Sequence, residues 1–490
     1  MQEIYMIKLL SEAKSKYTSL AKPVKASIWF TICNVLNKGI ALLATPIFVR
    51  MLTTDQYGDF TVFQSWYSIL LIFTSINLFV GGFEKGIIEF KEDKDRLASS
   101  LFGLTTLITL IFFGIYIMWM EEWTAFFKLS PILMFAMFVE LITAPGYEFW
   151  ATQQRFEYNY KWPVIFSLSS AVGSIVLGVV MISMSKDQLQ ARVFSDVIVK
   201  SVISILVGVL ILYRGRCLFN KKYWLYALSF NLPLIPHFLS TMIFNQADRI
   251  MIRDIVGSSA AAVYGVAHTI GMLALMVTSA INNSFTPFCY HSMDEKKYAG
   301  IKKNMVLLVA LVGLFVCASM AFTPEIIYIF AGKKYYEAIW VIPPLAVSVF
   351  FIFLYSMFSN IEYYYKKTVY ISIASIFCAV LNIVLNAIFI RLYGYYAAGY
   401  TTLACYIVFT FVHGFFCMKI LRDKSIDKNA LFDFKKLILI SLIVLAVMFL
   451  MAATYSNLLV RYGLLIAICA FCLIKFKWIM GLLNFKNKAE

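Results

Sequence analysis

Apolar runs of about twenty residues recur along nearly the whole chain, each closed by a short polar break, and this is the length a helix needs to cross a hydrocarbon layer. Fourteen such runs lie near residues 26–49, 60–82, 97–119, 130–150, 162–184, 193–213, 224–246, 261–284, 304–322, 338–360, 369–390, 396–418, 436–453 and 458–480. The pattern predicts an all-α polytopic membrane protein with about 14 transmembrane helices. The stretch from Trp29 to Gly58 sets the design. It is apolar almost all round, with Lys38 near its middle, Pro46 two turns later, Arg50 at its end and Tyr57-Gly58 closing a polar turn. A helix of this kind is at home in lipid, and its lysine then needs water, an anion or a carboxylate.

Composition agrees: 61% of the 490 residues are hydrophobic and 14% charged, too apolar for a soluble fold of this size. The net charge of +16 comes from clusters between the runs. With charges near the end of a run counted in the adjoining connection or tail, the termini and the even-numbered connections hold 31 Lys and Arg and the odd-numbered connections 10, and Lys38 and Lys200 lie deep within spans. Such an asymmetry places both termini in the cytoplasm and explains the charge with no nucleic acid. The apolar run after the basic first 25 residues is too long for a signal peptide, so residues 2–20 are expected as a retained interfacial helix. Nine cysteines are scattered through apolar segments; Cys469 and Cys472 form a CxxC inside the last run, where no zinc or redox fold is expected.

No connection is long enough for a soluble domain. The expected organisation is a cytoplasmic segment 1–25, an N lobe 26–213, a cytoplasmic linker 214–223, a C lobe 224–418, a basic loop 419–435, two further spans within 436–480 and a tail 481–490. Two internal matches support the division into halves. Pro46, Arg50 and Tyr57-Gly58 correspond to Pro236, Arg253 and Tyr264-Gly265, with Asp248 and Asp254 where the first copy has Asp55. The Tyr-rich connections Arg155–Pro163 and Glu362–Tyr370 precede spans five and eleven. Six plus six helices with two extra at the end is a transporter-like arrangement.

Catalytic signatures are missing: there is no paired-histidine metal motif, no Gly-x-Ser-x-Gly and no phosphate-binding glycine loop. Neither a metal nor a cofactor is expected, and the chain does not read as an enzyme. The informative residues are ionisable groups inside spans, which need water or a partner. Lys38 falls near the midplane, and either pairs with Glu140 of span four or meets a ligand. Lys200 and Asp196 are one turn apart in span six and are expected to neutralise each other. Glu140, His237 and His268 are candidates for coupling to a proton or sodium counter-ion. Asn34, Asn37, Asn231, Asn245 and Gln246 put amides on spans one and seven, as helix glue or as the lining of a polar cavity. Asp248-Arg249 and Arg253-Asp254 read as an exposed ion-pair cluster at the outer end of span seven, or as a gate.

With these stretches in place, the chain resembles the bacterial polysaccharide flippases of the Wzx type. The wider group is the multidrug/oligosaccharidyl-lipid/polysaccharide exporter superfamily, which includes the lipid II flippases. The resemblance is carried by NKGIALLATPIFVRMLTTDQYGDF from Asn37, FNLPLIPHFLSTMIFNQADRIMIRDIVGSSAAAVYGVA from Phe230 and LNIVLNAIFIRLYGYYAAGYTT from Leu381. It implies two six-helix bundles around a central cavity, in the bacterial inner membrane. It also implies a substrate of undecaprenyl-diphosphate-linked oligosaccharide, other polysaccharide assembly proteins as partners, and membrane lipids around it. Lys38 matches the cation expected to meet the diphosphate, followed by Arg50 and Arg249. With Asn34, Asn37, His237, Asn245 and His268 these are the candidate binding residues; Glu140, Asp196, Lys200 and Asp248 are the candidate coupling residues. The rival readings are a multidrug or cation antiporter of the same superfamily, a membrane polymerase or acyltransferase, and a scaffold that transports nothing.

Overall fold

A computed structural model describes residues 20–474, with side chains described as far as residue 466. The interfacial helix expected over 2–20 lies, but for its last residue, outside the described residues, as do the tail and the side chains of Cys469 and Cys472. The described chain is helical, and its contacts divide it into two compact units. One holds the described residues up to Met51 together with Trp66–Phe238; the other holds Leu52–Ser65 together with the described residues from Leu239 onward.

The first unit contains α1 (Lys22–Met51), the later part of α2 (Thr54–Ser75), α3 (Gly82–Glu89), α4 (Lys94–Met118), α5 (Met120–Phe127), α6 (Pro131–Phe156), α7 (Lys161–Met184), α8 (Gln188–Gly215) and α9 (Lys221–Asn231). Polar side chains at the connections start these helices: Asp187 accepts from the Gln190 amide at 3.0 Å, and Asn220 from those of Lys222 and Tyr223. Helices α6 and α7 both pack on α8. At Gly146 of α6 a Cβ would stand 2.7 Å from the Ser204 carbonyl oxygen and 3.2 Å from the Gly208 Cα of α8. Only glycine allows these two backbones to approach so closely.

The second unit takes the start of α2 and then most of α10 (Ile235–Ile255), α11 (Ser258–Gly271), α12 (Ala274–Asp294), α13 (Tyr298–Ala321), α14 (Thr323–Phe330), α15 (Ile342–Tyr364), α16 (Thr368–Tyr393), α17 (Tyr396–Asp423), α18 (Lys428–Leu431), α19 (Phe434–Ala453) and α20 (Leu458–Ile474). Here α15 is the central rod, burying Val349, Phe350, Phe353 and Met357 against α13 and α17. The packing of α15 and α16 on α17 repeats that of α6 and α7 on α8. The two Tyr-rich connections also share one backbone motif. Tyr158 and Lys366 adopt positive φ (57° and 56°), and the next amides, Asn159 and Lys367, donate back to the carbonyls of Gln154 and Glu362 at 2.9 and 2.8 Å. This sets Gln154 opposite Glu362 in the two connections.

Twelve helical stretches among the described residues are long and apolar enough to cross a membrane. They account for all the expected spans except the second and the fourteenth. The second is α2, which starts at Thr54 and ends at Ser75 rather than running over 60–82. It stops because the amide of Asn231 takes over the following loop, donating to the carbonyls of Ile76, Asn77 and Val80 at 3.1, 2.7 and 3.1 Å and accepting from the Gly82 amide at 3.0 Å. The fourteenth is α20, of which seventeen residues are described. Span seven is interrupted by a 3-10 turn at Leu232–Leu234, where Pro233 and Pro236 supply no N–H. Exposed Leu110, Ile205, Val209, Leu442 and Phe449 on α4, α8 and α19 fit helices surrounded by hydrocarbon.

Candidate functional site

In α1 the polar positions Thr31, Asn34 and Lys38 recur at helical spacing, so they form one stripe on an otherwise apolar rod. All three are exposed. Asn37, one position round, turns the other way: its Nδ2 donates to Ser167 Oγ of α7 at 2.7 Å and reaches Cys33 Sγ at 3.4 Å. Asn37 is therefore helix glue, and Asn34 and Lys38 are what α1 leaves available. Arg50 is also exposed, at the end of the same helix.

The expected partners of the intramembrane charges are rearranged. Glu140, buried in α6, receives Lys200 Nζ of α8 at 2.8 Å, and Lys200 also lies over the Tyr67 ring at 5.8 Å. Asp196 instead takes Arg192 Nη1 at 2.5 Å, with the Arg192 guanidinium 3.9 Å from the centre of the Phe48 ring. The observed pairs are Lys200–Glu140 and Arg192–Asp196, in place of the expected Lys200–Asp196 pair and of the alternative in which Lys38 meets Glu140. The physical reason is competition. Arg192 is one turn before Asp196 as Lys200 is one turn after it, and packing of α6 on α8 offers Lys200 a better-buried carboxylate. Among the described residues Lys38 has no ion-pair partner.

In the second unit, Asp248 is not part of an exposed cluster. It is buried in α10 and held by neutral donors from three helices: Tyr264 of α11, Thr402 of α17 at 2.7 Å and Asn386 Nδ2 of α16 at 2.6 Å. Asn386 in turn contacts Asn382 at 3.2 Å and accepts from Thr401. The next residue, Arg249, points elsewhere, donating to Gln246 Oε1 at 2.7 Å and to His268 Nδ1 at 3.0 Å. An arginine only donates, so His268 accepts at Nδ1. Ser65 completes this set by donating to Gln246 at 3.1 Å. Asn245 donates to the Thr241 carbonyl of its own helix, and His237 is half-buried in the first turn of α10.

Arg253 bonds Asp59 at 3.3 Å where the start of α2 meets the start of α11. Ser258 Oγ donates to Asp59 at 2.7 Å, Ser259 Oγ to Asp55 at 2.7 Å, and Thr54 and Ser259 hydroxyls lie 2.9 Å apart. A Cβ on Gly58 would overlap the Ser258 carbonyl, and one on Gly265 would touch Thr61 at 3.2 Å. The Tyr-Gly segments that the sequence equates as repeat copies therefore pack against one another.

Sequence reasoning noted Tyr264 only as a repeat position and missed Asn382, Asn386 and Thr402, although Asn382 and Asn386 stand at i, i+4 spacing in an apolar run. It also missed the buried pair of Glu362 and His413, 2.9 Å apart between α15 and α17. Glu362 reads as part of a polar connection but lies inside the last turn of α15.

Comparison with known proteins agrees with this architecture. The profile of the polysaccharide biosynthesis protein family matches residues 24–293, over half of the chain, and the MatE profile matches residues 233–388. The chain belongs to the polysaccharide biosynthesis protein family, within the multidrug/oligosaccharidyl-lipid/polysaccharide exporter superfamily. Putative protein 1 of the Lsg locus of Haemophilus influenzae is 23% identical over 386 residues, covering 74% of this chain and 90% of the relative. An uncharacterized membrane protein of the same organism is 20% identical over 368 residues, covering 73% and 87%. Among solved structures, the lipid II flippase MurJ in an inward closed conformation superimposes with a TM-score of 0.66 at 16% identity, over 92% of this chain and 100% of that one. An inward-facing multidrug resistance transporter of the MATE family gives 0.61 at 17% identity, over 79% and 95%. These structures share the fold.

Proposed function

We propose that this protein flips undecaprenyl-diphosphate-linked oligosaccharide repeat units across the bacterial inner membrane by alternating access. Its product would feed a surface polysaccharide: the O-antigen of lipopolysaccharide, a capsule or an exopolysaccharide. Both termini lie in the cytoplasm. The observation that carries the reading, beside family membership, is Lys38: a cation within an apolar span, exposed, sharing its stripe with Asn34, and without an ion-pair partner among the described residues, Glu140 being engaged by Lys200. Such a cation suits a diphosphate, whose oxygens take charge-assisted hydrogen bonds. Arg50, nearer the end of α1, continues the path. No covalent intermediate is needed, since the lipid tail stays in the bilayer throughout.

Asp248 is the coupling carboxylate in this reading. Its hydrogen-bond partners are neutral, and a buried carboxylate without a cation in its shell is stabilised by taking a proton or a sodium ion. The Lys200–Glu140 pair ties α8 to α6, and the Arg192–Asp196 pair is internal to α8. A cation exporter would place an uncompensated acid, not Lys38, on the exposed stripe of α1. The test is deletion of the gene followed by analysis of the lipid-linked glycans. Accumulation of one undecaprenyl-diphosphate oligosaccharide on the cytoplasmic side is the expected result, and an unchanged pool overturns the assignment.

A further inference from the structure

Within the first unit, α4, α6 and α8 do not close completely. They leave a cavity of about 440 Å³ whose walls are almost entirely apolar: Leu107 and Leu110 of α4, Ile142 of α6, and Ile205 and Val209 of α8. The segment that follows α8 also lines it, where the rings of Phe219 and Trp224 meet edge to face at 4.7 Å. This segment is pinned by Trp224 Nε1 donating to the Ser100 carbonyl at 2.9 Å, and by close approach of the Leu218 carbonyl to Gly103. A second cavity of about 290 Å³ shares Leu212 and Leu218 with the first, and its other walls are Ser99, Arg216 and Cys217. The two cavities adjoin at Leu212 and Leu218, the larger apolar and the smaller bordered by Arg216.

The cationic border is built by the backbone. Arg216 has φ 46°, which turns the chain at the end of α8 and sends the guanidinium back over the Tyr213 ring at 5.5 Å. Its Nε donates to the Tyr213 carbonyl at 3.3 Å, and among the described residues it has no carboxylate partner. Arg214, Lys221 and Lys222 lie in or beside the same connection, with no acid between them, while Leu218 and Phe219 are largely exposed. Basic side chains interleaved with exposed apolar ones mark a segment at the membrane–water boundary, and such connections meet the anionic cytoplasmic leaflet.

We infer that these adjoining cavities bind a glycerophospholipid of the surrounding bilayer, with an acyl chain between α4, α6 and α8 and an anionic headgroup at Arg216. The volume and apolarity of the larger cavity fit part of a hydrocarbon chain, and the charge beside it selects phosphatidylglycerol over a zwitterionic lipid. The site is separate from the Lys38 stripe and independent of what the protein transports. A lipid held there wedges α4 against α8, next to the contact between Gly146 and Gly208.

The full-length protein reconstituted with phosphatidylglycerol or phosphatidylcholine carrying the same brominated acyl chains provides the test. Bromine quenches tryptophan on contact, so the signal lost in Trp224→Phe isolates occupancy of the site. Quenching of Trp224 should favour phosphatidylglycerol, and Arg216→Gln should lower that preference about fivefold, the effect of one cation near an anionic surface. Val209→Phe, which fills the apolar part, should reduce quenching by both lipids, with folding checked by circular dichroism and thermal unfolding. Equal quenching by the two lipids in the unmodified protein, or a preference unchanged in Arg216→Gln, overturns the proposal. Native mass spectrometry of the purified protein adds a second reading. Retention of phosphatidylglycerol supports the site, whereas retention of only a polyisoprenyl diphosphate lost in Arg216→Gln overturns the phospholipid assignment.

Discussion

Lys200 Nζ of α8 lies 2.8 Å from Glu140 Oε1 of α6. This pairing across two helices settles which intramembrane charges are compensated in the first unit. With Glu140 occupied and Asp196 held by Arg192, Lys38 on α1 is the lysine within a span that has no ion-pair partner among the described residues.

Removing one member of the α6–α8 pair should be worse than removing both. Lys200→Met leaves a buried carboxylate unpaired and should destabilise the protein by about 3 kcal/mol. The double variant Glu140→Gln, Lys200→Met should recover most of that loss. Thermal unfolding in detergent measures both, and a double variant as unstable as the single one would show that the pair is not the source of the effect.

Lys38→Gln should reduce flipping of a diphosphate-linked substrate in proteoliposomes by about tenfold or more, as expected when a charged hydrogen-bond donor is lost. Lys38→Arg should retain most of the activity. Unfolding temperatures close to that of the unmodified protein are expected for both, because Lys38 is exposed and has no ion-pair partner among the described residues.

Asp248→Asn should uncouple the protein. Transport should then proceed at one low rate whether a proton gradient, a sodium gradient or neither is imposed, while the unmodified protein responds to one of them. A variant that keeps the full gradient response would remove Asp248 from the coupling role.

If the contact between the start of α2 and the start of α11 opens during transport, a covalent link there should stop the cycle. Thr54 and Ser259, whose hydroxyls are 2.9 Å apart, are the positions to use. Thr54→Cys with Ser259→Cys, in a cysteine-free background, should lose activity on oxidation and regain it with reductant. Full activity of the crosslinked protein would assign the contact a purely structural role.

Asn231→Ala removes the amide that serves four backbone groups of the 76–82 loop. It should lower stability by about 2 kcal/mol. Gly82 would then tolerate alanine better than it does now, since its close neighbour is the Asn231 side chain; additivity of the two variants' unfolding free energies tests this coupling.

By itself the sequence determined the class of protein and most of its helices, because length and apolarity decide whether a segment can lie in a bilayer. It also placed Lys38, with Asn34 one turn away, since helical spacing is a local property. The repeat of Tyr-rich connections was legible too, but its register came from the positive φ at Tyr158 and Lys366. Partnership was decided only by the tertiary structure. Lys200 sits one turn from Asp196, yet bonds Glu140 sixty positions earlier. Asp248 borders Arg249, yet is held by Tyr264, Asn386 and Thr402. In an apolar setting each charged or polar group takes the best-buried partner that packing brings within reach, and spacing along the chain carries no information about which helix will bring it.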